Sequence, residues 1–213
     1  MGGKLITFEG LDGSGKSTHL AGAAEWLRER GFAVVATHEP GGTELGNAVR
    51  AIFLDRRWGK MDGRVELLLV AASRRQHLVE VIEPALAAGA WVLCDRFSDS
   101  TFAYQGVGRG VPESQIAAAD SLATGGRLPD LTLLFDLPAE LARERGHSPQ
   151  RHARHAVDRL DAEELSFYAD VRRGFLARAE AEPSRFRVVD SSGSRSETRT
   201  RVLDVLRAFL DLP

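Results

Sequence analysis

The chain holds one cysteine, Cys94, so no disulfide can close within it. Its neighbours Trp91, Val92 and Leu93 predict a buried strand position for it rather than a reactive thiol. Lysine is nearly as scarce: Lys4, Lys16 and Lys60 are all there is, and the rest of the 28 basic residues are arginine. Neither sign of charge prevails. The net charge of −2 removes any global electrostatic case for nucleic acid or a membrane surface as partner. There is no apolar run of membrane-spanning length, and strand-like sequence begins by Lys4, so no leader is read and the cytoplasm is the expected location. Internal repeats and low-complexity linkers are absent too. What remains, at 213 residues, has room for one α/β domain over 1–213 and is short for two.

Five short apolar runs read as buried parallel strands: Lys4–Glu9, Phe32–Thr37, Trp91–Asp95, Leu131–Asp136 and Phe186–Asp190. Helix-like stretches separate them, over Ser17–Arg30, Glu44–Leu54, Arg64–Ala88, Glu113–Ala123, Glu163–Glu182 and Glu197–Leu210. This alternation predicts a five-stranded parallel sheet flanked by helices on both faces. Such sheets carry their sites at the carboxyl ends of the strands. Glu9, His38-Glu39, Asp95-Arg96 and Asp136 stand there.

The first strand runs into Gly10-Leu11-Asp12-Gly13-Ser14-Gly15-Lys16-Ser17, followed by Thr18 and a helix-like run. This is the G-x-x-x-x-G-K-[ST] phosphate-binding loop in the strand–loop–helix setting it requires. The glycines let backbone N–H groups curl around phosphate oxygens, Lys16 can reach the β- and γ-phosphates, and the Ser17 hydroxyl can ligate Mg²⁺. The loop predicts a bound nucleoside triphosphate without saying what is done with it.

Two further constellations narrow the chemistry. Glu39-Pro40-Gly41-Gly42-Thr43 is a tight turn after the second strand. After the third comes Asp95-Arg96, followed by Ser98, Ser100, Thr101, Tyr104 and Gln105, hydrogen-bonding side chains such as a nucleotide pocket needs. Asp95 can hold Mg²⁺ directly or through water, and Arg96 can grip a second phosphate group. From Arg143 to Arg159 the pattern breaks. Arg145, Arg151 and Arg154 mix there with His147, His152 and His155 and few apolar residues, which predicts a basic lid; the bland alternative is a solvated loop. His152 and His155 have no interleaved cysteine or acid, so no metal site is read there.

With these motifs in view, the chain resembles the bacterial thymidylate kinases. The resemblance rests on Phe8–Thr18, on Glu39–Thr43, on Asp95-Arg96 with Ser100, Ala103–Gly106 and Gly108–Gly110, on the Glu66–Glu83 stretch with Arg74, Gln76 and His77, and on Asp158-Arg159. It implies a P-loop kinase fold with a mobile lid and transfer of the ATP γ-phosphoryl group to dTMP, giving dTDP for dTTP synthesis. It implies ATP held by Gly10, Leu11, Asp12, Gly13, Ser14, Gly15, Lys16, Ser17 and Thr18, with Mg²⁺ at Ser17 and Asp95. Arg96 would clamp the dTMP phosphate, and Asp12 would contact the sugar 3′-hydroxyl side. Tyr104 would stand where a ribose 2′-hydroxyl projects, and Arg74, Thr101 and Gln105 would lie around the thymine or the phosphate. Glu39, Pro40, Val70 and Ser100 complete the implied substrate set. Arg151 or Arg154 would reach the transferring phosphoryl group, and a homodimer would form through the Glu66–Ala88 helix.

Three positions depart from the family pattern. His38 stands where arginine is common, Ser73 replaces a common acid, and Val70 stands where an aromatic usually stacks on thymine; either base affinity is lower, or another aromatic such as Phe97 or Phe102 compensates. Rival readings remain. A deoxynucleoside kinase would need a carboxylate base, which Glu39 offers, and another nucleoside monophosphate would suit other kinases of this type. A switch or motor ATPase would be expected to show an N-K-x-D signature or an apolar strand ending in Asp-Glu, and neither is present.

Overall fold

The computed structural model describes residues 2–146, 148 and 158–211. Its strands are β1 (Leu5–Gly10), β2 (Val34–His38), β3 (Trp91–Asp95), β4 (Leu131–Asp136) and β5 (Phe186–Asp190). They pair in parallel in the order β2-β3-β1-β4-β5. The three central strands are apolar almost throughout because helices cover both their faces; β2 and β5, at the edges, are half-exposed. All five predicted strands form, displaced by at most two residues.

The helices are α1 (Lys16–Arg28), α2 (Glu44–Leu54), α3 (Gly63–His77), α4 (Glu83–Ala87), α5 (Ser98–Thr101), α6 (Glu113–Thr124), α7 (Ala139–Gly146), α8 (Leu165–Ala181) and α9 (Arg195–Phe209). One face of the sheet packs Ile6, Phe8, Leu93, Leu133 and Phe135 against Leu20 and Leu27 of α1 and Val202 and Leu206 of α9. On the other, Leu134 meets Phe167, Val171 and Phe175 of α8, and Leu5, Val92 and Cys94 meet Leu78 and Ile82. Cys94 is buried as predicted; its thiol donates to the Arg96 carbonyl at 3.0 Å, and burial pushes its pKa up.

One expectation needs correction and two gain detail. The helix read over Arg64–Ala88 is α3 and α4 joined by a π turn at Leu78–Ile82. Pro84 explains the widening, since it has no N–H to donate back into the preceding turn. The polar run after Asp95-Arg96 is helical, α5 continuing as a π turn over Phe102–Gly108. Its spacing therefore places Ser100, Thr101, Tyr104 and Gln105 on one face. Finally, the segment read as a lid begins inside a helix: Arg143 and Arg145 lie on α7, and Arg145 donates to the Ser191 and Ser192 carbonyls at 2.8 and 2.9 Å. Residues 147 and 149–157 lie outside the described residues, so the remainder of the predicted lid does too.

The connections from β1 and from β3 leave in opposite directions across the sheet, so a crevice opens between their carboxyl ends. A buried ion cluster anchors the helix that forms its far wall. Asp99, on α5 and fully buried, accepts from Arg185 Nη1 and Nη2 at 2.7 and 2.8 Å and from Arg178 Nε at 3.2 Å. Removing that carboxylate strips Arg185 and Arg178 of three hydrogen bonds and leaves the nearly buried Arg185 with Glu182, at 2.6 Å, as its remaining counter-charge. Asp99→Ala is therefore expected to lower unfolding free energy by about 3–5 kcal/mol, measured by urea denaturation; a change under about 0.5 kcal/mol would show the cluster to be dispensable.

Candidate active site

The loop from β1 to α1 is shaped by glycine. Gly10 has φ +135° and Gly13 has φ +83°, values that side chains disfavour, and both are crowded. A Cβ on Gly10 would lie 2.4 Å from the Phe135 carbonyl oxygen, and one on Gly13 would lie 2.5 Å from that of Ala142. The loop thus closes against β4 and α7. Lys16 folds back over it, donating to the Leu11 carbonyl at 2.8 Å. Burial first, and then Arg96, lowers the Lys16 pKa to about 8. The Ser14 hydroxyl is buried with no hydrogen-bond partner among the described residues, which is the condition expected of a donor whose acceptor is a ligand. Ser17 Oγ contacts the Asp95 carboxylate, so the two oxygen groups predicted to hold Mg²⁺ are brought together. Thr18, next to Ser17 on α1, is likewise exposed, its hydroxyl 3.4 Å from an Arg195 nitrogen.

Arg96 joins the two sides of the crevice. Its backbone is left-handed, φ +72°, which among the described residues it shares only with Asp211 outside glycine. That conformation turns its side chain back across β1. Nη1 donates to the Gly10 carbonyl and to Ser100, both at 3.0 Å; Nη2 donates to Asp12 at 2.9 Å and to the Tyr104 hydroxyl at 3.2 Å. Beneath it Glu9, fully buried, accepts from the Phe97 N–H at 2.7 Å and from Ser100 Oγ at 2.5 Å. Burial, reinforced by Asp99, raises the Glu9 pKa to about 8. Tyr104 is held by Phe167 and Phe175 edge-on at 6.1 Å each, with Arg96 over its ring at 4.9 Å, and burial pushes its pKa up.

Behind this node lies a cleft of about 100 Å³. It gathers Asp12, Glu39, Pro40, Val70, Arg74, Arg96, Ser100, Thr101, Tyr104 and Gln105, every member of the predicted substrate set. Several of these are second-tier supports. Glu39 accepts from Arg74 Nε at 2.8 Å and pairs with His77 Nδ1 at 2.9 Å, so both of its oxygens are engaged. Arg74 also donates to Asp120 and to Thr101 at 3.0 Å each. Gln105 donates to the fully buried Glu66 at 2.9 Å, and Glu66 takes Arg109 at 3.0 Å and Arg159 at 2.7 Å as well. Ser73, the departure from a common acid, accepts the Gly41 N–H at 3.1 Å and so ties the Pro-Gly-Gly turn to α3. Burial first, and then Arg50, lowers the His38 pKa.

Sequence reasoning missed Arg50 and Phe53, both of which line the cleft from α2. Arg50 donates to the Pro40 carbonyl at 3.0 Å. The available signal was their spacing: residues 50, 53 and 54 share one face of a helix beginning at the Thr43 cap. Of the two aromatics expected to offset Val70, Phe97 lines the cleft but is fully buried under the Arg74 guanidinium, 5.1 Å from its ring. Phe102 is not in the lining; it sits under Arg178 and packs with Leu67, Val111 and Ile116. Arg151 and Arg154 lie outside the described residues.

The thymidylate kinase family model matches this chain over residues 8–202, which hold both the loop and the cleft. The chain belongs to the thymidylate kinase family. It is 46% identical over 209 residues to thymidylate kinase of Methylobacillus flagellatus, covering 98% of this chain and 99% of that one. With the enzyme of Paraburkholderia phytofirmans it shares 49% identity over 216 residues, 98% of each. A crystal structure of thymidylate kinase from Ehrlichia chaffeensis superposes with a TM-score of 0.77 at 35% identity, covering 97% of this chain and 99% of that one. The P-loop NTPase fold that the resemblance implies is thereby shown.

For a thymidylate kinase the depressed pKa of Lys16 has a measurable consequence. A bound polyphosphate favours the protonated amine, so its pKa rises on binding. Above the free-state value of about 8, association must therefore take up a proton, and affinity falls as pH rises through that value. Calorimetric titration with ADP at about pH 8.5 in buffers of different ionisation enthalpy should show this uptake. It should vanish in Lys16→Met.

Proposed function

We propose that this enzyme transfers the γ-phosphoryl group of ATP to dTMP, giving ADP and dTDP and feeding dTTP synthesis. The observation that supports it most directly is Arg96. It reaches the phosphate loop through Gly10 and Asp12 and the cleft through Ser100 and Tyr104, so one guanidinium stands between a donor and an acceptor phosphate. Bringing two anions in line is the main obstacle in this reaction, and cations fixed beforehand are the remedy. Lys16 and the loop amides serve the donor. Arg96 and Arg50 serve the acceptor, whose phosphate competes with Asp12 for the Arg96 nitrogens. Arg151 or Arg154 is the arginine we assign to the transferring group.

Ser17 and Asp95 suit a hard cation, offering a hydroxyl and a carboxylate already in contact. They would hold Mg²⁺, which when bound neutralises charge on the donor phosphates. The unpartnered Ser14 hydroxyl and the glycine-shaped loop suit the ATP phosphates in the same way. No general base is required, since an acceptor phosphate is already largely dianionic near neutrality. The engagement of both Glu39 oxygens counts against the nucleoside kinase alternative, which would need that carboxylate free. Tyr104, fixed by its aromatic neighbours, stands as the barrier to a ribose 2′-hydroxyl.

A homodimer belongs to the same proposal. α3 packs between α2 and α6, and Ile52 of α2, Val65 and Leu68 of α3, Val79 of the following π turn and Leu122 of α6 are exposed. A cytoplasmic location is likewise proposed; among the described residues no helix is long and apolar enough to cross a membrane.

A screen of all nucleoside monophosphates with ATP and Mg²⁺ should show dTMP as the best acceptor, and an enzyme that phosphorylates none of them would refute the assignment. Arg96→Ala should lower kcat about 10³-fold. Leu68→Glu should convert the dimer to monomer in sedimentation velocity, with the fold retained.

A further inference from the structure

We infer that the acceptor base lies on Phe53, so that the flat apolar wall of the base subsite is supplied by α2 and not by α3. This rests on the thymidylate kinase reading and deepens it. The phosphate end of the cleft is marked by Arg96, Arg50 and Asp12, so a planar base must reach toward the remaining lining. The aromatic rings there are not equivalent. Tyr104 belongs to the phosphate end, its hydroxyl on Arg96 and its ring under the same guanidinium. Phe97 has no exposed surface and Arg74 covers it. Val70, on α3, is aliphatic. Phe53 is the remaining aromatic in the lining, a buried residue that keeps 5% exposure where Phe97 keeps none.

The ring is also held in place. Arg159 lies over it with its guanidinium carbon 5.3 Å from the centroid. The same side chain donates from Nε to the Phe53 carbonyl at 3.1 Å, while its backbone N–H donates to the Leu54 carbonyl at 3.0 Å. Glu66 fixes the other edge of that guanidinium at 2.7 Å and, through its second oxygen, holds Gln105 in the cleft. One buried carboxylate therefore sets both the ring and a polar group at the base end. A guanidinium against one part of an aromatic ring leaves the exposed part to stack on a pyrimidine, an interaction worth about tenfold or more in affinity.

The test is a reciprocal exchange read through dTMP kinetics. Phe53→Leu should raise the KM for dTMP about tenfold, with the loss falling on KM and not on kcat. Phe53→Tyr should stay near wild type. Adding Val70→Phe to Phe53→Leu, which returns an aromatic from α3, should recover most of the lost affinity. Circular dichroism and ADP affinity establish that each variant is folded. If folded Phe53→Leu binds dTMP as wild type does, or if the double variant remains as weak as Phe53→Leu, the inference is overturned. A wild-type enzyme that does not phosphorylate dTMP overturns the functional reading itself, so the two failures are distinct.

Discussion

The site depends on one arginine held in an unfavourable backbone conformation by what surrounds it. A left-handed φ at a residue other than glycine costs of order 1–3 kcal/mol, and Arg96 keeps it because its side chain is over-determined. Two carbonyl or hydroxyl oxygens at Nη1, two more groups at Nη2, and a tyrosine face all point to one orientation. The register of β1 against β3 makes this geometry available, since Phe8 lies opposite Asp95 and the Arg96 N–H donates to the Phe8 carbonyl at 3.0 Å. Loop, strand end and helix face are thereby one unit.

Around that unit the protein repeats a single solution: a buried carboxylate saturated by forked donors. Glu39 takes Arg74 and His77, Glu66 takes Arg109, Arg159 and Gln105, and Asp99 takes Arg178 and Arg185. A carboxylate out of water is tolerable only when its lone pairs are filled, and the planar guanidinium fills two directions at once. This gives the abundance of arginine over lysine a structural use. Glu39, itself in the cleft lining, fixes Arg74, Glu66 fixes Gln105 from behind it, and Asp99 anchors α5. Glu9 differs from these three: it accepts from Phe97 and Ser100, has a raised pKa, and meets Arg96 through the shared Ser100 hydroxyl.

The legibility of the site followed from the range of its interactions. The phosphate loop was readable because its requirements are local: glycine where φ is positive, a lysine, a hydroxyl, and a helix start. The five strands were readable because each is an apolar run bounded by polar residues. The polar run after Arg96 was correctly placed in a pocket, yet its helical form was not seen, since a stretch with Gly106 and Gly108 so close together carries weak helix propensity. Arg50 and Phe53 were missed for a different reason. In sequence they belong to an ordinary amphipathic helix, and only the packing of α2 beside α3 turns that face toward the cleft.

By itself the sequence determined the strand–helix alternation, the donor phosphate loop and the identity of the residues gathered at the sheet rim, because these depend on spacing and on backbone freedom. The tertiary structure decided which of those residues face a ligand and which stand behind it. Glu39 could have been a base until Arg74 and His77 were found on its oxygens, and Phe97 could have been a base platform until it proved fully buried. Burial and pairing across more than thirty residues of separation are properties of the packed chain, and no local pattern encodes them.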